Sequence, residues 1–302
     1  MNPFPLLVFV LSVYGFTQTP DYTISNLDSN TEYPHFGLME TPKGKILYIS
    51  YAINKRGKVE SVGGHPVLTL YEGVVNPGGN ITAVSPVAID PEANLSVITS
   101  AAVSPDGQHL IITTQYTHKT KPQGDFKDTN FHLEIGAYKE GLGWTNFKVL
   151  PFCEPRYSYG HPAFSNDGKT LFFIANLRGG KETTKGGSDI FKVDIVDHNT
   201  YSAPANMGSN INSYSREMFP VVGPDNTLYF ASNRPGYGGF DMYKSKMNEH
   251  GTYEKAEKLP KPLNSDKDDF SLIMNADNRS GFFVSKRDGG KGDDDIYYFA
   301  KP

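Results

Sequence analysis

Short apolar runs recur along the chain in a fixed setting. Ile46-Leu-Tyr-Ile49, Leu171-Phe-Phe-Ile174 and Leu228-Tyr-Phe-Ala231 each follow a turn signal: Pro42-Lys-Gly44, Asn166-Asp-Gly168 and Pro224-Asp-Asn226. Proline or asparagine opens such a turn, and glycine or asparagine tolerates the positive φ that closes it, so each run is the second strand of a hairpin. An unbroken apolar run predicts a strand covered on both faces, as in sheets stacked face to face. About a dozen residues later comes a glycine cluster and an Asp-apolar-aromatic triplet, as in Gly186-Gly-Ser-Asp189-Ile-Phe191, Gly238-Gly-Phe-Asp241-Met-Tyr243 and Gly292-Asp-Asp-Asp295-Ile-Tyr297. There a third strand begins with alternating polarity, Ile190-Phe-Lys-Val-Asp194. A more polar fourth strand precedes the next copy.

Five copies can be counted. Three are strong, with turns at Asp167, Asp225 and Asp277 (Asp277-Asn-Arg-Ser-Gly-Phe-Phe283 in the last), and two are weaker, with turns at Pro105-Asp-Gly107 and Pro42-Lys-Gly44. Their spacing of ~50 to 70 residues exceeds the ~40 to 45 of a typical propeller blade, and long loops account for the excess. Four strands per unit, arranged radially, predict an all-β fold: a β-propeller of five blades, or of six if residues 71–97 hide one. The last unit stops after its third strand at Tyr297-Tyr-Phe299, while Tyr22-Thr-Ile-Ser-Asn-Leu27 resembles the fourth-strand segments near Asn206 and Lys258. The N-terminal strand is therefore expected to complete the last blade and hide both edges.

Residues 1–20 carry no charged side chain, and residues 6–13 are an apolar run too short to span a membrane. They read as a signal peptide, here placed at 1–17 with cleavage near Gly15 or Thr17, leaving residues 21–302 as one propeller domain. Cys153 is the only cysteine, which rules out an intrachain disulfide and lies far from any lipoprotein cleavage point. A net charge of −4 does not suit a nucleic-acid partner.

The composite from Asn210-Ile-Asn-Ser213 through Glu217, Asp225 and Ser232-Asn-Arg234-Pro-Gly236 to Asp241-Met-Tyr243 resembles the PD40, or WD40-like, repeat. That repeat belongs to TolB-like propellers and to envelope proteins of Bacteroidetes, often joined to an OmpA-like domain. No such domain is expected after the fifth blade here. The resemblance implies an exported propeller of the periplasm or outer membrane that scaffolds or binds, with an envelope protein or a cell-surface glycan as partner and no membrane span. It implies no activity. An enzyme acting on polysaccharide, either a glycoside hydrolase or a metal-dependent lyase, is the alternative.

In a propeller, the loops entering each inner strand share one face with those joining the second and third strands. Glu32, His35, Tyr159, His161, Arg216, Glu217 and Asp269 fall on the first set, and Arg178, Arg234 and Arg287 on the second. Together they form a candidate rim whose mixture of aromatic and arginine groups suits recognition. Asp189, Asp241 and Asp295 recur in every strong copy and read as structural acceptors of loop N–H groups; the three arginines read as equivalent positions, each bonded to an aspartate of its blade. His35 and His161 read as equivalent inner-strand positions. Asp293-Asp-Asp295 offers hard oxygen ligands but lacks the alternate spacing of a calcium-binding EF-hand loop, so no cofactor is expected, with calcium at these aspartates as the alternative. Glu217 and Asp269 would suit glycoside hydrolysis only at a suitable separation.

Overall fold

The computed structural model describes residues 22–93, 95, 97–115, 130–197 and 200–302. The proposed signal peptide lies outside them. Five antiparallel blade sheets follow one another along the chain, and a separate two-stranded ribbon, Ser61–Val62 with His65–Pro66, lies in a loop of the first. Blade 1 comprises Phe36–Glu40, Lys45–Tyr51, Leu68–Val75 and Ile81–Pro86; blade 2 comprises Ile98–Val103, His109–Thr114, His132–Lys139 and Gly143–Val149. Residues 71–97 thus contribute to the outer strands of blade 1, and no sixth blade is present there among the described residues. Blade 3 uses Tyr159–Phe164, Thr170–Ala175 and Asp189–Asp197, with an outer edge split between Thr200–Tyr201 and Ala205–Asn206. Blade 4 uses Glu217–Val222, Leu228–Ser232, Asp241–Ser245 and Glu257–Lys258.

Blade 5 takes Asp269–Met274, Ser280–Ser285 and Asp295–Ala300 from one end of the chain and Thr23–Asn26 from the other. The closing strand pairs Thr23 with Ala300 and Asn26 with Tyr297. Among the described residues no helix is long and apolar enough to cross a membrane.

The apolar second strands explain the stacking. Ile46 and Tyr48 face blade 5, where they meet Phe282, Val284 and Ile296. Their neighbours Leu47 and Ile49 face blade 2 and pack with Leu110, Ile112 and Trp144. Each remaining interface has its own cluster, centred on Phe173 and Phe191, on Leu228 and Phe230, and on Phe283 and Phe299. Alternate side chains of one strand therefore enter two different cores, which is why such a strand shows no polar face.

The repeat motifs lock these blades together. Asn212, Asn264 and Asn30 each form two bonds with one third-strand residue: the side-chain oxygen accepts from the N–H of Ile190, Met242 or Ile296, and the amide donates to the same residue's carbonyl. The glycine pairs have a steric cause. A Cβ on Gly186 would stand 1.7 Å from the Ser215 carbonyl oxygen, and one on Gly238 would stand 2.1 Å from that of Lys267. The loop entering the next blade passes that close.

Candidate functional site

The inner strands define the axial channel, and all five carry a one-residue register shift. In four blades the residue at the bulge takes a left-handed φ: Gly37, His161, Phe219 and Ser271. The bulge turns these side chains and N–H groups toward the axis. There they bond from blade to blade. Ser271 Oγ accepts from Leu38 N at 2.8 Å, Ser100 Oγ and Thr113 Oγ1 accept from His161 N at 3.2 and 3.0 Å, and His161 Nδ1 accepts from Phe219 N at 3.0 Å. The imidazole also stacks on Phe219 with centroids 3.8 Å apart, and Phe219 stacks on Phe270 at 5.2 Å. Between blades 1 and 2 the bulge residue is Gly37, which has no side chain to contribute. A Cβ on Gly37 would sit 3.2 Å from the Thr99 carbonyl oxygen, so the backbones close that gap themselves.

This ring is a waist. The free volume within it is about 20 Å³, room for about a single water. Its acceptor role requires a neutral His161, and burial pushes that group down to about 3. His161 is therefore a structural member of the channel.

Above the waist lies a funnel of about 390 Å³, lined by blades 1 to 4. Phe36, Phe131, Met218 and Phe219 give it an apolar wall, and Thr99, Ser158, Asn176 and Ser188 supply polar groups. Arg216 stands at its edge. The aliphatic stem of Arg216 lies against Gly187, where an added Cβ would stand 2.7 Å from its Cγ. The guanidinium is exposed and enters no hydrogen bond or ion pair among the described residues. Next to it Tyr214 is 89% exposed. At the corresponding place in blade 5, Asp268 instead accepts a bond from Phe240 N at 2.8 Å.

The other rim candidates are placed differently. Glu217 and Asp269 head the inner strands of blades 4 and 5 with no exposed surface. Glu217 accepts from Ser213 Oγ at 2.6 Å, Ser232 Oγ at 2.9 Å and Arg234 at 2.9 Å. Asp269 is bound by the Ser265 N–H and hydroxyl and by Arg287 at 2.8 Å. Each arginine also lies over aromatic rings of its own blade, Arg234 over Tyr243 at 4.7 Å and Arg287 over Phe283 at 4.7 Å. The arginines thus pair with the carboxylate that opens the inner strand, not with the aspartate that opens the third.

Arg178 is not their equivalent. Arg234 and Arg287 follow Ser232 and Ser285 by two places, whereas Arg178 follows the matching Ala175 by three. Blade 3 has Tyr159 where the carboxylate would be, and Arg178 binds the Thr184 and Gly186 carbonyls of its own loop. His35 and His161 are not equivalent either. Phe36 pairs with Ile49 as Gly160 does with Ile174, so His35 matches Tyr159 and His161 matches Gly37.

His35 is buried, its Nε2 3.5 Å from Thr31 Oγ1, and burial lowers its proton affinity. Tyr159 is buried and its hydroxyl accepts from Glu154 N at 3.0 Å. Glu32 is exposed. The repeated aspartates cap loops: Asp189 accepts from the Lys185 and Gly186 N–H groups and from Asn206, Asp295 from Lys291, Gly292 and Asn26, and Asp241 from Tyr237. Burial raises Asp241, and burial takes Asp294, which precedes Asp295 in the chain, to about 6. Among the described residues no group of three or more His, Cys, Asp or Glu is placed to hold a metal ion.

Phe36, Met218, Phe219 and Ser271 were not among the candidates from sequence. Their signal is the opposite of a motif, since one strand position holds Gly37, His161, Phe219 and Ser271 in different blades.

No family model matches the chain, and no curated protein matches it. Solved structures do. A thermostable family-43 glycoside hydrolase superposes with a TM-score of 0.55 at 9% identity, covering 90% of each chain. A protein assigned as TolB from Agrobacterium tumefaciens gives 0.49 at 15% identity, over 89% of this chain and 79% of its own. TolB from Acinetobacter baumannii gives 0.45 at 17%, over 86% of this chain and 54% of its own. These likenesses concern the fold, an all-β propeller.

Proposed function

We propose that the protein is an exported, non-enzymatic recognition module that captures a partner protein of the envelope on the face bearing the upper funnel. One observation carries this reading: Arg216, exposed and unengaged, stands beside an apolar funnel, while the matching position of blade 5 is tied into the framework. An aromatic and an arginine at the edge of an apolar depression are the groups that interface hot spots enrich. The carboxylates of the same face support binding over hydrolysis, because Glu217 and Asp269 are already bonded on every side. A glycosidase pair needs one carboxyl free to give a proton and another free to attack or activate water. Export rests on the apolar run at residues 6–13, and mass spectrometry of the native chain checks it: an intact Met1 would refute it.

The test is affinity capture from an envelope fraction, followed by titration of the identified partner. Arg216→Ala combined with Tyr214→Ala should weaken binding about thirtyfold or more, the scale of a lost hot spot of ~2 kcal/mol. Its melting temperature should match the parent's, since both side chains are exposed. Unchanged affinity in the double variant removes the funnel from consideration.

A further inference from the structure

The channel has a second mouth, and the waist separates it from the first. On the face of the hairpin turns it widens into a socket of about 360 Å³. Its walls come from the ends of the inner strands and the turns that follow. Five prolines line it, Pro42, Pro105, Pro162, Pro220 and Pro224, and Met39, Phe164, Val222 and Met274 are among its other apolar side chains. Proline carries no N–H, so these walls give an incoming chain few donors and much apolar surface. A depression of this size accepts one or two large side chains.

Charge around the mouth is uneven. Glu40 is the one ionisable group lining the socket, and it takes part in no hydrogen bond or ion pair among the described residues. Partial burial raises its proton affinity by disfavouring the charged form, and a cation brought beside it would restore that form. The turns that ring the mouth carry Asp106, Asp167, Asp225 and Asp277, all exposed. Lys43, Lys169 and Arg279 are the cations of the same turns, and the carboxylates outnumber them.

We propose that this socket is a second docking site, which takes a polypeptide segment presenting a large apolar side chain flanked by lysine or arginine. The apolar side chain enters between the prolines, and a flanking cation meets Glu40. Because the waist leaves room for about a single water, an occupant of this mouth does not reach the upper funnel. The site stands independently of the reading given to Arg216, and the protein would then bridge two partners across its thickness.

The probe is a blocked heptapeptide with one central leucine and two lysines on either side of it. Two control peptides carry glutamates in place of the lysines, or glycine in place of the leucine. Backbone amide shifts of the protein on titration should concentrate at Met39, Ala102, Val222 and Met274, and both controls should bind at least about tenfold more weakly. Glu40→Gln should weaken the lysine peptide up to about fivefold, the range of an exposed ion pair. Pro224→Arg, at an exposed turn position, should weaken it about tenfold or more by obstructing the mouth with a like charge, at an unchanged melting temperature. Shifts centred elsewhere, equal binding of the glutamate peptide, or indifference to both substitutions would overturn the proposal.

Discussion

His161 shows how a residue type that suggests chemistry can be consumed by architecture. Its Nδ1 accepts the Phe219 N–H and its ring stacks on Phe219, so protonation would remove a bond and leave a charge in the waist. The folded value is about 3, below the ~6.5 of an unfolded histidine. Between these values the unfolded chain binds the extra proton, so the stability from a neutral His161 is complete above pH 6.5 and declines as pH falls. Between pH 7.5 and 5 the loss should be about 2 kcal/mol, and His35, lowered in the same direction, adds to it. Thermal melts across that range check this: His161→Gln should melt lower at pH 7.5 and fall less steeply on acidification. Parallel curves for the variant and the parent would contradict the account.

Glu217 makes the same point with charge. Removing it by Glu217→Ala leaves Arg234 over Phe230 and Tyr243 without its counter-ion, and breaking a buried pair from one side typically costs about 3–5 kcal/mol. Chemical denaturation should show that loss. Arg178→Ala, which removes only bonds within an exposed loop, should cost far less.

At the scale of the strand and loop, most of the structure was legible. The apolar runs marked second strands because both faces are covered, and the Asp-Gly and Asp-Asn turns marked the hairpins. Arg178 was misread because one extra residue follows Ala175, and a shift of one place cannot be seen without the ladder. The inner-strand bulges were invisible for a related reason. They are set by convergence of five strands on one axis, a constraint that no single copy of the repeat contains.

The glycine pairs yield a test at this scale. Gly238→Ala would force a methyl to 2.1 Å from the Lys267 carbonyl oxygen, so it should destabilise by about 2 kcal/mol or more through displacement of the loop entering blade 5. Gly251→Ala is the contrast, strained by a φ of 72° but free of any neighbour within 4 Å. If denaturation gives the two variants equal losses, the close approach of the loops is not what holds Gly238.

For the whole molecule, five clusters among the described residues share the burial between blades in place of a single central core. Sequence reasoning reached this ring and its closure, because the unfinished last blade and the orphan first strand were both visible. It did not reach the waist or the separation of the two mouths. Those depend on which side chains point inward after the bulges, and only the assembled ring decides that.

The closing strand also carries a consequence for self-association. Thr23 bonds to a residue 277 places away, and Leu27 and Asn30 complete the same blade. Holding ends so distant together costs about 5 kcal/mol in loop entropy. A second molecule can supply the same four-residue strand with identical contacts, and at high concentration that exchange escapes part of the penalty. Refolding at millimolar protein should therefore yield a reciprocal strand-swapped dimer that reverts to monomer on dilution and warming, as size-exclusion chromatography would record. A cysteine pair at Ser25 and Tyr298, which face each other in the ladder, would trap either form and show whose strand closed the ring.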